Sequence, residues 1–138
     1  MGKKLKIGEI ISFLVFFLYK KTGVNSVSNL LLPEAPLVIS PSIATAIGLN
    51  QAIVLQQIHY WININEKEKI NNYQGKTWTY NTYKEWQKQI PFFSERTILR
   101  TIQKLEKLKI LESSNFNKKK YDRTKWYTIN YDVLKVLE

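Results

Sequence analysis

From Ser40 onward the chain switches between helical and alternating apolar patterns, and capping residues mark each change. Ser40 and Pro41 supply an N-cap and a first-turn proline. They predict a short helix to about Ile47, with Gly48 ending it in the left-handed conformation. Asn50 is placed to cap a longer helix over 51–63, in which Ile53, Val54, Ile58, Trp61 and Ile62 recur at helical spacing. The polar stretch 65–75 ends in Gln74 and Gly75 and reads as a loop. Residues 76–80 (KTWTY) alternate and are rich in threonine and aromatics, a strand signature. Thr82 caps a predicted helix from about Tyr83 to Gln89, closed by Ile90 and Pro91. Residues 90–94 (IPFFS) form a turn, with Phe92 and Phe93 expected to anchor it inward; an exposed one would mark a protein contact instead. Ser94 caps a further helix to about Leu108, with Ile98, Ile102, Leu105 and Leu108 or Lys109 on its apolar face. Ile110 to Phe116 suits a strand, 117–123 (NKKKYDR) a charged turn, and 124–130 (TKWYTIN) a second strand. Asp132 to Leu137 is a closing helical turn.

The first 37 residues have a different texture and read as an N-terminal extension. A basic start is followed by an apolar run from Ile10 to Tyr19 and then by Lys20 and Lys21. The run is short of the roughly 20 apolar residues a spanning helix needs. It is similar to the hydrophobic region of a signal peptide, but no small-x-small cleavage site follows. A buried or partner-packed helix is the leading expectation for 10–19, and a membrane-surface anchor the alternative. Gly23, Asn25, Ser26, Ser28, Pro33 and Pro36 make 22–37 a linker. No internal repeat is visible.

In order, the elements after residue 38 are helix, helix, strand, helix, turn, helix, strand, charged loop, strand. The expected fold is therefore α+β and mostly helical: a winged helix-turn-helix over 38–138, with a small antiparallel sheet made of the wing hairpin plus the strand at 76–80. A short turn between two helices leaves the second free to enter a major groove about 12 Å wide. The hairpin tip can reach the flanking backbone.

Charge sharpens this picture. The formal net charge is +10. Residues 94–125 hold ten Lys/Arg and four acids, nearly all of the excess over 41–138. A basic domain attracts polyanions, nucleic acid first and an anionic membrane surface second; the alternative is that lysines merely keep the protein soluble. Arg96, Arg100, Gln103, Lys104 and Lys107 fall off the apolar stripe of the helix after Ser94, so its solvent face is basic. At the helix start, Ser94, Glu95, Arg96 and Thr97 are candidates for base-edge or phosphate contact. Arg100 is placed to pair with guanine. Lys118, Lys119, Lys120, Arg123 and Lys125 belong to the wing, with phosphate contacts expected at its tip. Trp61, Trp78, Trp86 and Trp126, with the tyrosines near them, are expected mostly in the core, with base stacking the lesser alternative. His59 is expected to be structural.

The chain has no cysteine, which excludes disulfides, thiolate metal sites and cysteine nucleophiles. A single histidine cannot make a histidine-based metal cluster. No glycine-rich phosphate loop, metal-ligand spacing or nucleophile elbow occurs. Neither an enzyme nor a cofactor is implied, and the expected location is the cytoplasm.

The strings APLVISPSIATAIGLNQAIVLQQIHYW (35–61), GKTWTYNTYKEWQKQIPFFSERTILRTIQKLEKLKIL (75–111) and FNKKKYDRTKWYTINYDVL (116–134) resemble the N-terminal winged-helix domain of phage and plasmid replication proteins of low-GC Gram-positive bacteria. These are similar to DnaD-type primosome and replication-organiser proteins. The resemblance covers about Leu30 to Leu134. It implies origin binding, self-association and help in loading the replicative helicase, with a helicase loader among the partners. Proteins of this kind continue into a second domain, and residues 1–29 lie outside the resemblance; a start nearer Asn29 is one reading. The same fold serves transcriptional regulators. An oligomerisation module without strong DNA binding is a rival of a different class.

Overall fold

The computed structural model describes residues 7–8, 10–11 and 36–137. Ile7, Gly8, Ile10 and Ile11 are helical. The rest of the apolar run to Tyr19, and the linker as far as residue 35, lie outside the described residues. Among the described residues no helix is long and apolar enough to cross a membrane. The described residues up to Leu37 belong to one compact unit, and 38–137 to a second.

The second unit is an α+β fold, and about 54% of the described residues are helical. Its elements run α1 (Pro41–Ile47), α2 (Leu49–Glu68), β1 (Asn72–Tyr73), β2 (Lys76–Thr77), β3 (Thr79–Tyr80), α3 (Tyr83–Gln89), α4 (Glu95–Lys107), β4 (Leu111–Ser114), β5 (Trp126–Ile129) and α5 (Tyr131–Val136). α1 starts as its sequence predicts, with Ser40 Oγ accepting from the Ile43 amide. Gly48 ends it differently. Its φ of 102° is positive, but its ψ of 152° lies outside the left-handed helical region, in backbone space that is essentially glycine's alone. Gly48 donates to the Ala44 carbonyl and accepts from the Ala52 amide, so one residue closes α1 and opens α2. Asn50 therefore lies within the first turn of α2 and is not its cap.

α2 also runs past the predicted end at residue 63, through Glu68. The segment NEKE looked like loop because it is polar. Glu and Lys are good helix formers when one face meets water, and Asn65 anchors the other face. Asn65 is fully buried, and its Nδ2 donates to the Trp78 carbonyl at 2.8 Å. Lys69, at φ 55° and ψ 41°, then turns the chain out of the helix.

The polar stretch that follows holds a hairpin that periodicity does not predict. β1 and β2 pair antiparallel, Asn72 opposite Thr77 and Tyr73 opposite Lys76. Gln74 and Gly75 both have positive φ, 53° and 71°, as a two-residue turn matching strand twist requires. The predicted strand at 76–80 is thus two strands. Residues 76–77 pair with β1, while Thr79 and Tyr80 pair with Tyr127 and Trp126 of β5. Trp78 sits at the change of partner, its amide bonded to the Asn71 carbonyl and its indole N–H to the Tyr73 carbonyl.

The second sheet has the order β3-β5-β4, all antiparallel. β5 is central and buried along its whole length. α2 and α4 pack against this sheet, and α3 packs on α4 and meets β5 through Trp86 and Tyr127. Trp61, Trp78, Trp86 and Trp126 are all at most 2% exposed, so the tryptophans are core residues. Gln89 Oε1 accepts from Trp61 Nε1 at 2.6 Å and Gln57 Nε2 at 2.8 Å, which satisfies polar atoms where α2 meets α3. His59 is held by Tyr131 Oη at 2.8 Å and Asn63 Nδ2 at 3.0 Å, a structural clasp between α2 and α5.

Candidate nucleic-acid interface

α3, the turn at 90–94 and α4 present the predicted surface. Thr82 opens α3 with a full capping box: its Oγ1 accepts from the Glu85 amide, and the Glu85 carboxylate accepts from the Thr82 amide at 2.7 Å. Ile90, buried, ends the helix before Pro91. Ser94 caps α4, accepting from the Thr97 amide at 3.1 Å and contacting Thr97 Oγ1 at 3.0 Å.

α4 is sharply two-sided. Ile98, Ile102 and Leu105 are fully buried, and Thr101 nearly so. At about 100° per residue, Arg96, Arg100, Gln103, Lys104 and Lys107 occupy an arc of roughly 100° opposite that stripe. All five are exposed. Among the described residues, no carboxylate lies within ion-pair distance of these four cations. The apolar stripe ends sooner than periodicity predicts. Leu108 is 43% exposed, and Lys109 has φ 63°, which turns the chain into β4.

The two ends of α4 differ electrostatically. Its first-turn amides favour an anion, but the exposed Glu95 carboxylate stands in that turn and opposes a phosphate there. The last turn carries Lys104 and Lys107, which complement the dipole.

The loop between β4 and β5 holds the second predicted group. Lys118, Lys119, Lys120 and Arg123 are exposed. Lys125 is not a free cation: its Nζ pairs with Glu106 Oε1 of α4 at 2.8 Å. This ion pair ties the loop to the flank of α4, between the buried stripe and the basic arc.

The loop is shaped from within by Asn117. Its Nδ2 donates to the carbonyls of Asp122 at 3.0 Å and Thr124 at 2.8 Å, while its Oδ1 accepts from Trp126 Nε1 at 2.7 Å. Asp122 Oδ1 accepts from the Thr124 amide at 3.0 Å. That backbone bond, then the Thr124 side chain and the charge of Lys119, hold the Asp122 carboxyl below its usual pKa against a small opposing burial effect. The loop's root is aromatic. Phe116 stacks on Tyr73 with centroids 4.5 Å apart and meets Trp126 edge-on, joining the β1–β2 hairpin to β5.

Three residues that charge counting passes over emerge here. Tyr121 is 77% exposed at the loop tip, with Lys119 Nζ 5.7 Å from its ring centre. Tyr83 of α3 lines the same open groove as the loop. Phe92 is 61% exposed, so the turn is not anchored inward by both phenylalanines. An aromatic residue inside a charged hairpin tip is the sequence signal that marks Tyr121.

No protein-family model, curated protein or solved structure matches the chain.

Proposed function

We propose that residues 38–138 are a winged helix-turn-helix domain that binds double-stranded DNA. In this reading α4 enters the major groove and the 117–125 loop is the wing on the flanking backbone. The observation that carries it is the one-sided charge of α4: two arginines, two lysines and a glutamine on a single exposed arc, unpaired among the described residues, beside a loop with four more exposed cations. Arg96, Arg100 and Gln103 are long enough to reach base edges. Ser94 and Thr97 frame the helix start, Lys104 and Lys107 meet backbone phosphate, and Lys118, Lys119, Lys120 and Arg123 add phosphate contacts without sequence information. Lys125 acts by holding the wing against α4.

The biological setting we propose is replication initiation of a phage, plasmid or other mobile element, in the cytoplasm, with a helicase loader as partner. That part rests on the resemblance to DnaD-type proteins, most specific over residues 49–61 and 124–132. Acceleration of helicase loading on origin DNA by the purified chain is the test that separates it from a repressor.

Binding to a labelled duplex, measured by fluorescence anisotropy across a salt series, tests the DNA reading. With about six phosphates neutralised, log affinity falls against log salt with a slope of about −5. Replacing Lys118, Lys119 and Lys120 by Ala weakens all duplexes alike, whereas Arg100→Ala changes the ranking of sequences. A flat salt response overturns the proposal.

One observation favours the oligomerisation module. A second groove, of about 380 Å³, is lined by Ile43, Leu55, Ile129 and Leu134 together with polar neighbours such as Gln56, His59 and Lys135, and the apolar side chains of Leu49 and Val136 are exposed. A concentration-dependent dimer whose assembly is salt-insensitive is the outcome that reading expects.

A further inference from the structure

The loop tip and α3 enclose an open groove of about 700 Å³. Its loop side carries Lys119, Tyr121, Arg123 and Lys125; Tyr83 faces it from α3, and Tyr127 lies at its floor. Asp122 also lines it, with its carboxylate engaged by Thr124. Burial, then the neighbouring Tyr83 and Glu106, hold the Tyr127 phenol neutral far beyond its usual range. The groove is thus cationic and aromatic together, and it is preorganised by the Asn117 bonds and the Lys125–Glu106 pair.

We propose that this groove takes an unpaired deoxynucleotide of a DNA strand, its base stacked on Tyr121 and its phosphate held by Lys119 and Arg123. The proposal rests on the DNA-binding reading and extends it from duplex to the junction of duplex and single strand. Two observations and a general property of stacked bases support it. A ring 77% exposed to water at the end of a hairpin has no packing role that would keep it there. Stacking needs an open base face, and inside a duplex each face is covered by the next pair, so an unpaired, unstacked nucleotide is the partner an aromatic tip can use. Lys119 already lies 5.7 Å from the Tyr121 ring centre, so a base on that ring brings its phosphate within reach of a cation. Cations beside an exposed aromatic are the combination by which proteins hold single strands without reading their sequence.

The test uses the full chain and two DNA probes: a blunt duplex, and the same duplex ending in an unpaired fork with 2-aminopurine at the first unpaired position. Anisotropy gives affinity, and 2-aminopurine fluorescence reports stacking of that base. The expected result is a fork bound at least about fivefold more tightly than the blunt duplex, with the fluorescence quenched on binding. Tyr121→Ala abolishes both the preference and the quenching while leaving blunt-duplex affinity within about twofold, and Tyr121→Phe keeps both. Equal affinity for fork and blunt duplex overturns the inference and leaves the duplex reading standing. So does a Tyr121→Ala variant that weakens both probes alike, which would make the tyrosine a duplex contact. Binding to neither probe overturns both readings. Tyr121 is too exposed for its loss to unfold the domain, and a thermal melt of each variant verifies this.

Discussion

Asn117 shows how much one side chain can decide. Its single carboxamide satisfies two loop carbonyls and the buried indole N–H of Trp126, so Asn117→Ala orphans the indole and the Thr124 carbonyl, while the Asp122 carbonyl keeps only Asn115 Nδ2 at 3.3 Å. Leaving a buried polar group unsatisfied costs about 1–3 kcal/mol. We expect a loss of about 2 kcal/mol in urea denaturation, with faster amide exchange over 118–125. Unchanged exchange in that loop would show that the bonds do not shape it. Gly48 makes the complementary case, in which a missing side chain matters. A Cβ there would meet Gln51 Oε1 at 2.5 Å, at a backbone φ of 102° that L residues rarely adopt. Gly48→Ala is expected to destabilise by about 1–3 kcal/mol, read from the same denaturation curve. Neither role shows in composition. Asn117 and Gly48 are common turn residues; its bonding partners make Asn117 hard to replace, and its backbone angle does so for Gly48.

At the scale of elements, the capping chemistry was the most legible part of the sequence. Ser40, Thr82 and Ser94 each begin a helix where a short hydroxyl side chain precedes an amphipathic pattern, because capping is settled within four residues. Thr82→Ala should cost about 1 kcal/mol without changing blunt-duplex affinity measured on the folded protein. Ser94→Ala should cost about the same and also weaken DNA binding, since that cap positions the first turn of α4; equal DNA affinity for the two variants would count against a role for that turn. The strands were less legible. The 76–80 segment has one alternating pattern but two partners, and alternation cannot say which neighbour a strand finds. The polar NEKE turn of α2 was hidden for a similar reason: it is held by Asn65 reaching across to Trp78, a contact between residues far apart in sequence.

For the whole molecule, burial of phenols sets a limit on alkaline stability. Tyr60, Tyr80, Tyr127 and Tyr131 are all raised above the usual 10.0, Tyr131 to about 12, with desolvation the first cause in each. A raised phenol pKa means that the folded state keeps a proton the unfolded chain has lost. Stability is therefore whole below about pH 10 and is lost as pH rises toward about 12. Urea midpoints should fall across that window, and phenolate absorbance should lag behind that of the urea-unfolded chain; coincident titration curves would contradict the burial of these rings. The same scale governs the interface. Sequence alone established that the basic residues cluster between 94 and 125, that α4 has opposed apolar and cationic faces, and that three helices start at hydroxyl caps, because these properties depend on composition and on neighbours within a few positions. The tertiary structure decided that Lys125 is spent on Glu106, that Phe92 and Tyr121 face water, that 76–80 divides between two sheets, and that the loop and α3 share a groove. Each of those depends on which distant segments meet, and local periodicity carries no information about that.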